Sequence, residues 1–139
     1  MSAMSHNVNL PMYAVRPPEN QALEAAVREL LLARGIAVSS PTPPPADLLS
    51  HWRQPDLLLS QTCGYPLMTA LRGKVSVIGR PCYELPDASA GQHCSLLLGR
   101  ASDPRRTLSA LRGSRGVINS EDSNSGMNLL RQRLAPLQR

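Results

Sequence analysis

Leu57-Leu58-Leu59-Ser60-Gln61-Thr62-Cys63-Gly64-Tyr65-Pro66-Leu67 decides the fold class of this 139-residue chain. Consecutive leucines are the pattern of a strand buried on both faces, as in a parallel sheet. A polar corner follows, from Gln61 to Gly64. Pro66 suits the first turn of a helix, where its missing N–H costs nothing. Leu67 to Leu71 then continue an apolar helical stretch. The segment reads as strand, corner and helix, which is half of a βαβ unit.

The same alternation extends in both directions. Upstream, Val8, Leu10 and Met12 alternate with other residues, which predicts a strand ending near Tyr13. Pro17 and Pro18 read as its breakers. Leu23, Val27, Leu30 and Leu31 recur at helical spacing and predict a helix over 19–34. Glu24 stands four residues before Arg28, a favourable pair, and Gly35 suits a C-terminal cap. Residues 36–38 read as a second strand, and Pro41 with Pro43, Pro44 and Pro45 as a stiff connector. Residues 46–53 read as a short helix that lays Trp52 over the core.

Downstream, residues 75–78 and 95–98 read as strands, with a loop over 84–93 between them. Residues 107–112 read as a short helix or turn closed by Gly113. Residues 117–119 predict a brief strand, 120–124 a polar turn and 126–137 a terminal helix. Strands alternating with helices imply an α/β fold with a mainly parallel sheet flanked by helices. In such sheets ligands bind beyond the carboxyl ends of the strands. Tyr13, Tyr65 and Tyr83 are the only tyrosines, and each falls just after a predicted strand. Tyrosine is common at strand ends, so the placement reads either as ordinary or as the lining of a cleft.

Composition narrows the function classes. Hydrophobic residues make up 42% and charged residues 18%, a globular rather than a disordered balance. Aromatic residues make up 3% and Phe is absent, so the core is left to Leu, Val, Ile, Ala and Met. Residues 1–99 carry seven basic and seven acidic side chains; residues 100–139 carry eight Arg against Asp103, Glu121 and Asp122, the whole of the net +5. A basic final third suits either a solvated surface or an anionic partner. Nucleic acid is disfavoured, because there is one Lys and no basic run interleaved with aromatics. No apolar run approaches the ~20 residues of a membrane span. Residues 1–9 lack the cationic start and apolar stretch of a secretory signal, so the expectation is either a cytoplasmic chain or one whose signal has been removed or lost. Cys63, Cys82 and Cys94 are too few and too widely spaced for a disulfide framework. Cys82, His93 and Cys94 lack a fourth ligand and a Cys-x-x-Cys pair, so small buried thiols are expected instead of a metal site.

Two strand-to-helix corners carry the candidate chemistry. The first is Asp122-Ser123-Asn124-Ser125-Gly126-Met127-Asn128. Free backbone N–H groups and the positive dipole end of a helix start bind oxyanions, hydroxyls add donors, and Gly126 permits close approach. The plain alternative is an ordinary Ser or Asn N-cap. It is not a Walker loop, since no Gly-Lys-Ser/Thr follows. The second corner is Gln61 to Pro66, where Thr62 offers a hydroxyl and Cys63 a thiol. A nucleophilic Cys63 needs a nearby base, and His6, His51 and His93 all sit in weakly structured context.

Four ordered stretches, residues 57–67, 78–83, 111–119 and 122–131, together with Leu10-Pro11-Met12-Tyr13, make the chain similar to the phosphate/phosphite/phosphonate solute-binding family of ABC transporters. The resemblance spans about residues 8–137. It implies a two-lobed, type II periplasmic-binding fold that grips a tetrahedral anion between its lobes. Residues 1–105 would form the first lobe, and 106–139 the crossover and opening strand and helix of an incomplete second lobe. The family's Ser-x-Ser-Gly grip falls on Ser123, Asn124, Ser125 and Gly126. Its cleft aromatics fall on Tyr13 and Tyr65, with Thr62 and Tyr83 in matching motifs. The implied function is non-catalytic binding of a phosphate- or phosphonate-like oxyanion beside a transporter permease, without cofactor or metal. The chain stops after the first helix of the second lobe, and that helix is expected to leave Leu129, Leu130, Leu134 and Leu137 partly exposed and prone to self-association. A cytoplasmic ligand-sensing domain using the same cleft is the alternative, and a small thiol enzyme using Cys63 the third.

Overall fold

The computed structural model describes residues 5–13, 16–83, 86, 92 and 94–137. The chain is mixed helix and strand with a small two-stranded parallel sheet. It divides into two compact units, Met1–Cys63 with Leu67–Lys74 and Gly64–Pro66 with Val75–Arg139.

The first unit holds the sheet. β1, Asn7–Asn9, pairs in parallel with β2, Leu57–Ser60. Val8 lies opposite Leu59 and Asn9 opposite Ser60, after a register shift that passes over Leu58. Leu58 is accordingly 43% exposed, so β2 is not buried on both faces as its leucines suggest. The strand expected at 36–38 reduces to one parallel bridge between His6 and Val38.

α1, Pro17–Leu32, begins with the two prolines. They start the helix instead of merely breaking the strand, because the first helical positions need no N–H donor and proline's fixed φ already fits. Glu19 adds a carboxylate to the first turn, where the helix dipole favours it. At the other end Gly35 takes φ +75°, and the Gly35 and Ile36 N–H groups donate back to the Leu32 and Leu31 carbonyls. This is the cap that Gly35 predicts. α2, Leu48–His51, is capped by Asp47, whose Oδ1 accepts from the Leu49 and Ser50 N–H groups. α3, Gly64–Met68, carries Pro66 in its first turn.

Among the described residues, the buried side chains of Val8, Leu10, Trp52, Cys63 and Leu71 all belong to the first unit, and Pro66, also buried, belongs to the second. Trp52 covers this core as expected. A polar clamp fastens α1 to β1. The Arg28 guanidinium, 7% exposed, donates to the carbonyls of Val8 and Ser39 and lies 3.1 Å from Glu24 Oε1. Glu24 Oε2 accepts from the Leu10 N–H at 3.1 Å, and the Asn20 amide donates to the Leu10 carbonyl at 2.9 Å. The i, i+4 pair visible in sequence is therefore an interior joint and not a surface pair.

The second unit contains no strand among its described residues. Residues 75–78, 95–98 and 117–119, all expected as strands, are irregular and largely exposed. Ser109–Leu111 forms a 3₁₀ turn, and Gly113 follows with φ +76°. The terminal helix is composite: a π-helical turn at Asn124–Asn128, α4 at Leu129–Leu134 and a 3₁₀ turn at Ala135–Leu137. The Arg112 guanidinium donates to the Leu137 carbonyl and so closes its C-terminal end. Leu129 is 39% exposed, while Leu130, Leu134 and Leu137 are half-buried.

Candidate functional site

The Ser123 corner is built by an N-cap. Ser123 has extended backbone (φ −75°, ψ 131°), and its hydroxyl accepts the Gly126 N–H at 3.0 Å. Its carbonyl accepts both the Met127 N–H at 3.3 Å and the Asn128 N–H at 3.0 Å. The bond to Asn128 spans five residues and makes the turn π-helical, a form common at functional sites. Ser123 is 5% exposed, so its hydroxyl is a buried structural acceptor. The Asn128 amide donates to Asn124 Oδ1 at 3.2 Å, and the Ser95 hydroxyl donates to the Ser125 carbonyl at 3.2 Å. The Ser125 hydroxyl takes no part in these bonds.

Gly126 is required, though not for the reason its motif suggests. A Cβ there would lie 2.0 Å from Asn119 Oδ1 and 3.1 Å from Ser123 Oγ. The Asn119 side chain thus occupies the space that the sequence reading leaves for an anion. A second helix start approaches the turn. A Cβ on Gly64, the first residue of α3, would sit 3.5 Å from Asn124 Nδ2. Gly64 and Asn124, one from each of the two corners singled out in sequence, are therefore neighbours within the second unit, although no strand leads into Asn124 among the described residues.

The remaining candidates are distributed over both units. Tyr13 and Thr62 belong to the first, and Tyr65, Tyr83 and Ser123–Gly126 to the second. Tyr13 is 55% exposed with φ 64°, the only described non-glycine residue in the left-handed region. Such a conformation costs energy and often marks a working residue; nothing in Met12-Tyr13 announces it. The Thr62 hydroxyl donates to the Cys63 carbonyl at 3.2 Å. Tyr65 is half-buried in α3. Tyr83 is 49% exposed and follows no strand. Cys63 is buried; Cys82 and Cys94 are exposed, against the expectation of small buried thiols. His93 lies outside the described residues.

Electrostatically, the best-defined group is Asp103. The Arg105 guanidinium, 2.7 Å from Oδ2, holds its carboxyl down at about 2. Arg105 also donates to the Ser114 hydroxyl at 2.9 Å. Among the described residues no group of three His, Cys, Asp or Glu is placed to hold a metal ion, and no helix is long and apolar enough to cross a membrane. Comparison with protein-family models, curated proteins and solved structures finds no match to this chain.

Proposed function

We propose that the chain binds a phosphate- or phosphonate-like oxyanion non-covalently, as a piece of a solute-binding protein with a type II periplasmic-binding fold. The observation that carries this reading is the meeting of two helix starts at Gly64 and Asn124. Helix starts in general carry backbone donors and a positive dipole end, for which an anion is a natural complement. At the Ser123 turn the Gly126, Met127 and Asn128 N–H groups already bond to Ser123, so the reading rests on the donors around Gly64 and Ser125. The Ser125 hydroxyl adds a donor beside them. The fold assignment and the transport role rest on the ordered motifs of the sequence.

A hydrogen bond to a desolvated charged oxygen contributes about 1.5–3 kcal/mol, so losing one weakens binding roughly ten-fold or more. An anion at one open corner stays hydrated, and its affinity is expected on the order of millimolar. Amide shifts are followed while inorganic phosphate or methylphosphonate is added, with chloride at matched ionic strength as control. Saturable shifts at Asn124, Ser125 and Tyr65 are expected, lost in Ser125→Ala and kept in Cys63→Ala. Shifts that follow ionic strength alone sink the reading. Binding that survives Ser125→Ala but not Cys63→Ala points to the thiol instead.

A further inference from the structure

Ser39-Ser40-Pro41-Thr42-Pro43-Pro44-Pro45-Ala46 runs from the His6–Val38 bridge to the cap of α2. It forms neither helix nor strand. Proline fixes φ near −65°, and a residue that precedes proline is pushed to ψ of about +120° to +160°. Both limits act on Pro43 and Pro44, the first on Pro41 and Pro45, the second on Ser40 and Thr42. None of the described peptide bonds is cis, and no residue of the segment has positive φ. Trans prolines under these limits wind a polyproline II helix of about three residues per turn.

That period sorts the segment into an attached side and free sides. Ser39, Thr42 and Pro45 stand one turn apart. The Ser39 N–H and hydroxyl donate to the His6 carbonyl at 2.9 and 3.2 Å, and the Ser39 carbonyl accepts from Arg28. Thr42 is exposed, yet its carbonyl and hydroxyl accept from the Asn9 amide at 3.3 and 3.4 Å. Pro45 is half-buried. Ser40, Pro41, Pro43 and Pro44 take the other two sides, and all are exposed. Among the described residues their carbonyls accept no hydrogen bond. Two x-Pro pairs, Ser40-Pro41 and Pro43-Pro44, are thus presented one turn apart on a rod fastened to the first unit.

We propose that this segment is a docking ligand for a partner domain of the SH3 type, whose groove is lined by aromatic rings. Such grooves take PxxP segments, and Pro41-Thr42-Pro43-Pro44 is one. Rings pack against the exposed pyrrolidines, and the free carbonyls accept from tyrosine O–H or tryptophan N–H groups in the groove. The rod is already held in shape, so docking orders little further backbone. Residues 35–52 contain no Lys or Arg, so no cation beside the prolines strengthens the complex. A second copy of this chain is a poor occupant: its one Trp is buried, and its three Tyr are divided between the two units.

The test titrates the full chain into an isotope-labelled SH3 domain of known PxxP binding and follows the amide shifts of that domain. Saturable shifts confined to its aromatic groove are expected, with a dissociation constant of ~0.1–1 mM. A synthetic PxxP peptide should displace the chain. Pro41→Ala with Pro44→Ala should weaken binding about ten-fold or more, whereas Pro45→Ala, on the attached side, should change it by less than about two-fold. Circular dichroism and melting of the double variant should stay close to the parent, since both prolines stand in solvent. Absence of shifts, shifts outside the groove, or failure of the peptide to displace the chain overturns the proposal. So do equal losses in Pro45→Ala and in the double variant. Shifts in a WW or EVH1 domain without shifts in the SH3 domain overturn it in favour of another proline reader.

Discussion

The two units of this chain are held together by different means. The first is organised around buried apolar side chains, Val8, Leu10, Trp52, Cys63 and Leu71, with the Glu24–Arg28 clamp set against them. In the second, the order visible among described residues is largely polar and local. Ser123 caps the terminal helix, Arg112 closes its far end, Ser95 holds the Ser125 carbonyl and Arg105 joins Asp103 to Ser114. Its aliphatic side chains at 77, 78, 96–98 and 117 stay in water. Burial is the dominant favourable contribution to folding, whereas exposed polar contacts each contribute little. The contrast predicts that equivalent truncations weigh heavily in one unit and lightly in the other.

The largest effects should come from the clamp and the core. Arg28→Ala leaves the Glu24 carboxylate, 14% exposed, without its cation and strips donors from the Val8 and Ser39 carbonyls, a loss of about 3 kcal/mol, toward the lower end for a buried pair. Urea unfolding followed by Trp52 fluorescence measures it. Arg16→Ala removes the exposed Arg16–Glu19 pair, with side chains 75% and 69% exposed, and should change little. Equal effects from the two substitutions would mean that the clamp is not buried. A matched pair of leucines gives a comparable contrast. Leu71, 1% exposed, should cost about 2–5 kcal/mol as Leu71→Ala. Leu98, 91% exposed, should stay within about 0.5 kcal/mol as Leu98→Ala. A destabilisation at Leu98 approaching that at Leu71 would break the comparison between the units.

The sequence revealed these elements unevenly, for physical reasons. α1 was legible because helical hydrogen bonds are local, so the spacing of Leu23, Val27, Leu30 and Leu31 and the cap at Gly35 suffice. Its start was misplaced because proline breaks a helix in the interior yet suits its first turn. β2 was legible from its leucines, but the register shift that exposes Leu58 depends on β1, which is distant in sequence. Residues 75–78, 95–98 and 117–119 have the composition of strands, yet a strand exists only with a partner, and composition names none. At the site, Ser123 was correctly placed at a helix start, while the Asn119 side chain against Gly126 was invisible, because no local rule brings those residues together. The burial of Arg28 against Glu24 depends on the same kind of distant contact, with the Val8 and Ser39 carbonyls.

A smaller effect tests how the second unit is held. Ser123→Ala removes the acceptor of the Gly126 N–H, a cap worth about 1 kcal/mol. Faster amide exchange at Gly126 and through the π-helical turn is the expected result. Unchanged exchange would mean that the Ser123 carbonyl alone anchors the turn.

The smallest effect is the most specific to polar organisation, and it appears only in acid. Asp103 is held at about 2, below its ordinary 3.8, chiefly by hydrogen bonds from the Arg105 side chain and then from the Arg105 N–H. A carboxyl whose folded value is depressed contributes stability while it is ionised. Its contribution is therefore complete above about pH 4 and is lost as pH falls toward about 2. With side chains 24% and 42% exposed, the pair is screened by water and salt, so the change in overall stability should be slight. The local readout is sharper. The side-chain carboxyl carbon of Asp103 should titrate near 2 and return toward 3.8 in Arg105→Ala. Protonation frees Arg105, and the Ser114 hydroxyl it holds at 2.9 Å should then show faster exchange in its own segment. A wild-type midpoint near 3.8, indifferent to Arg105→Ala, would show that this corner of the second unit is not ordered by its ion pair.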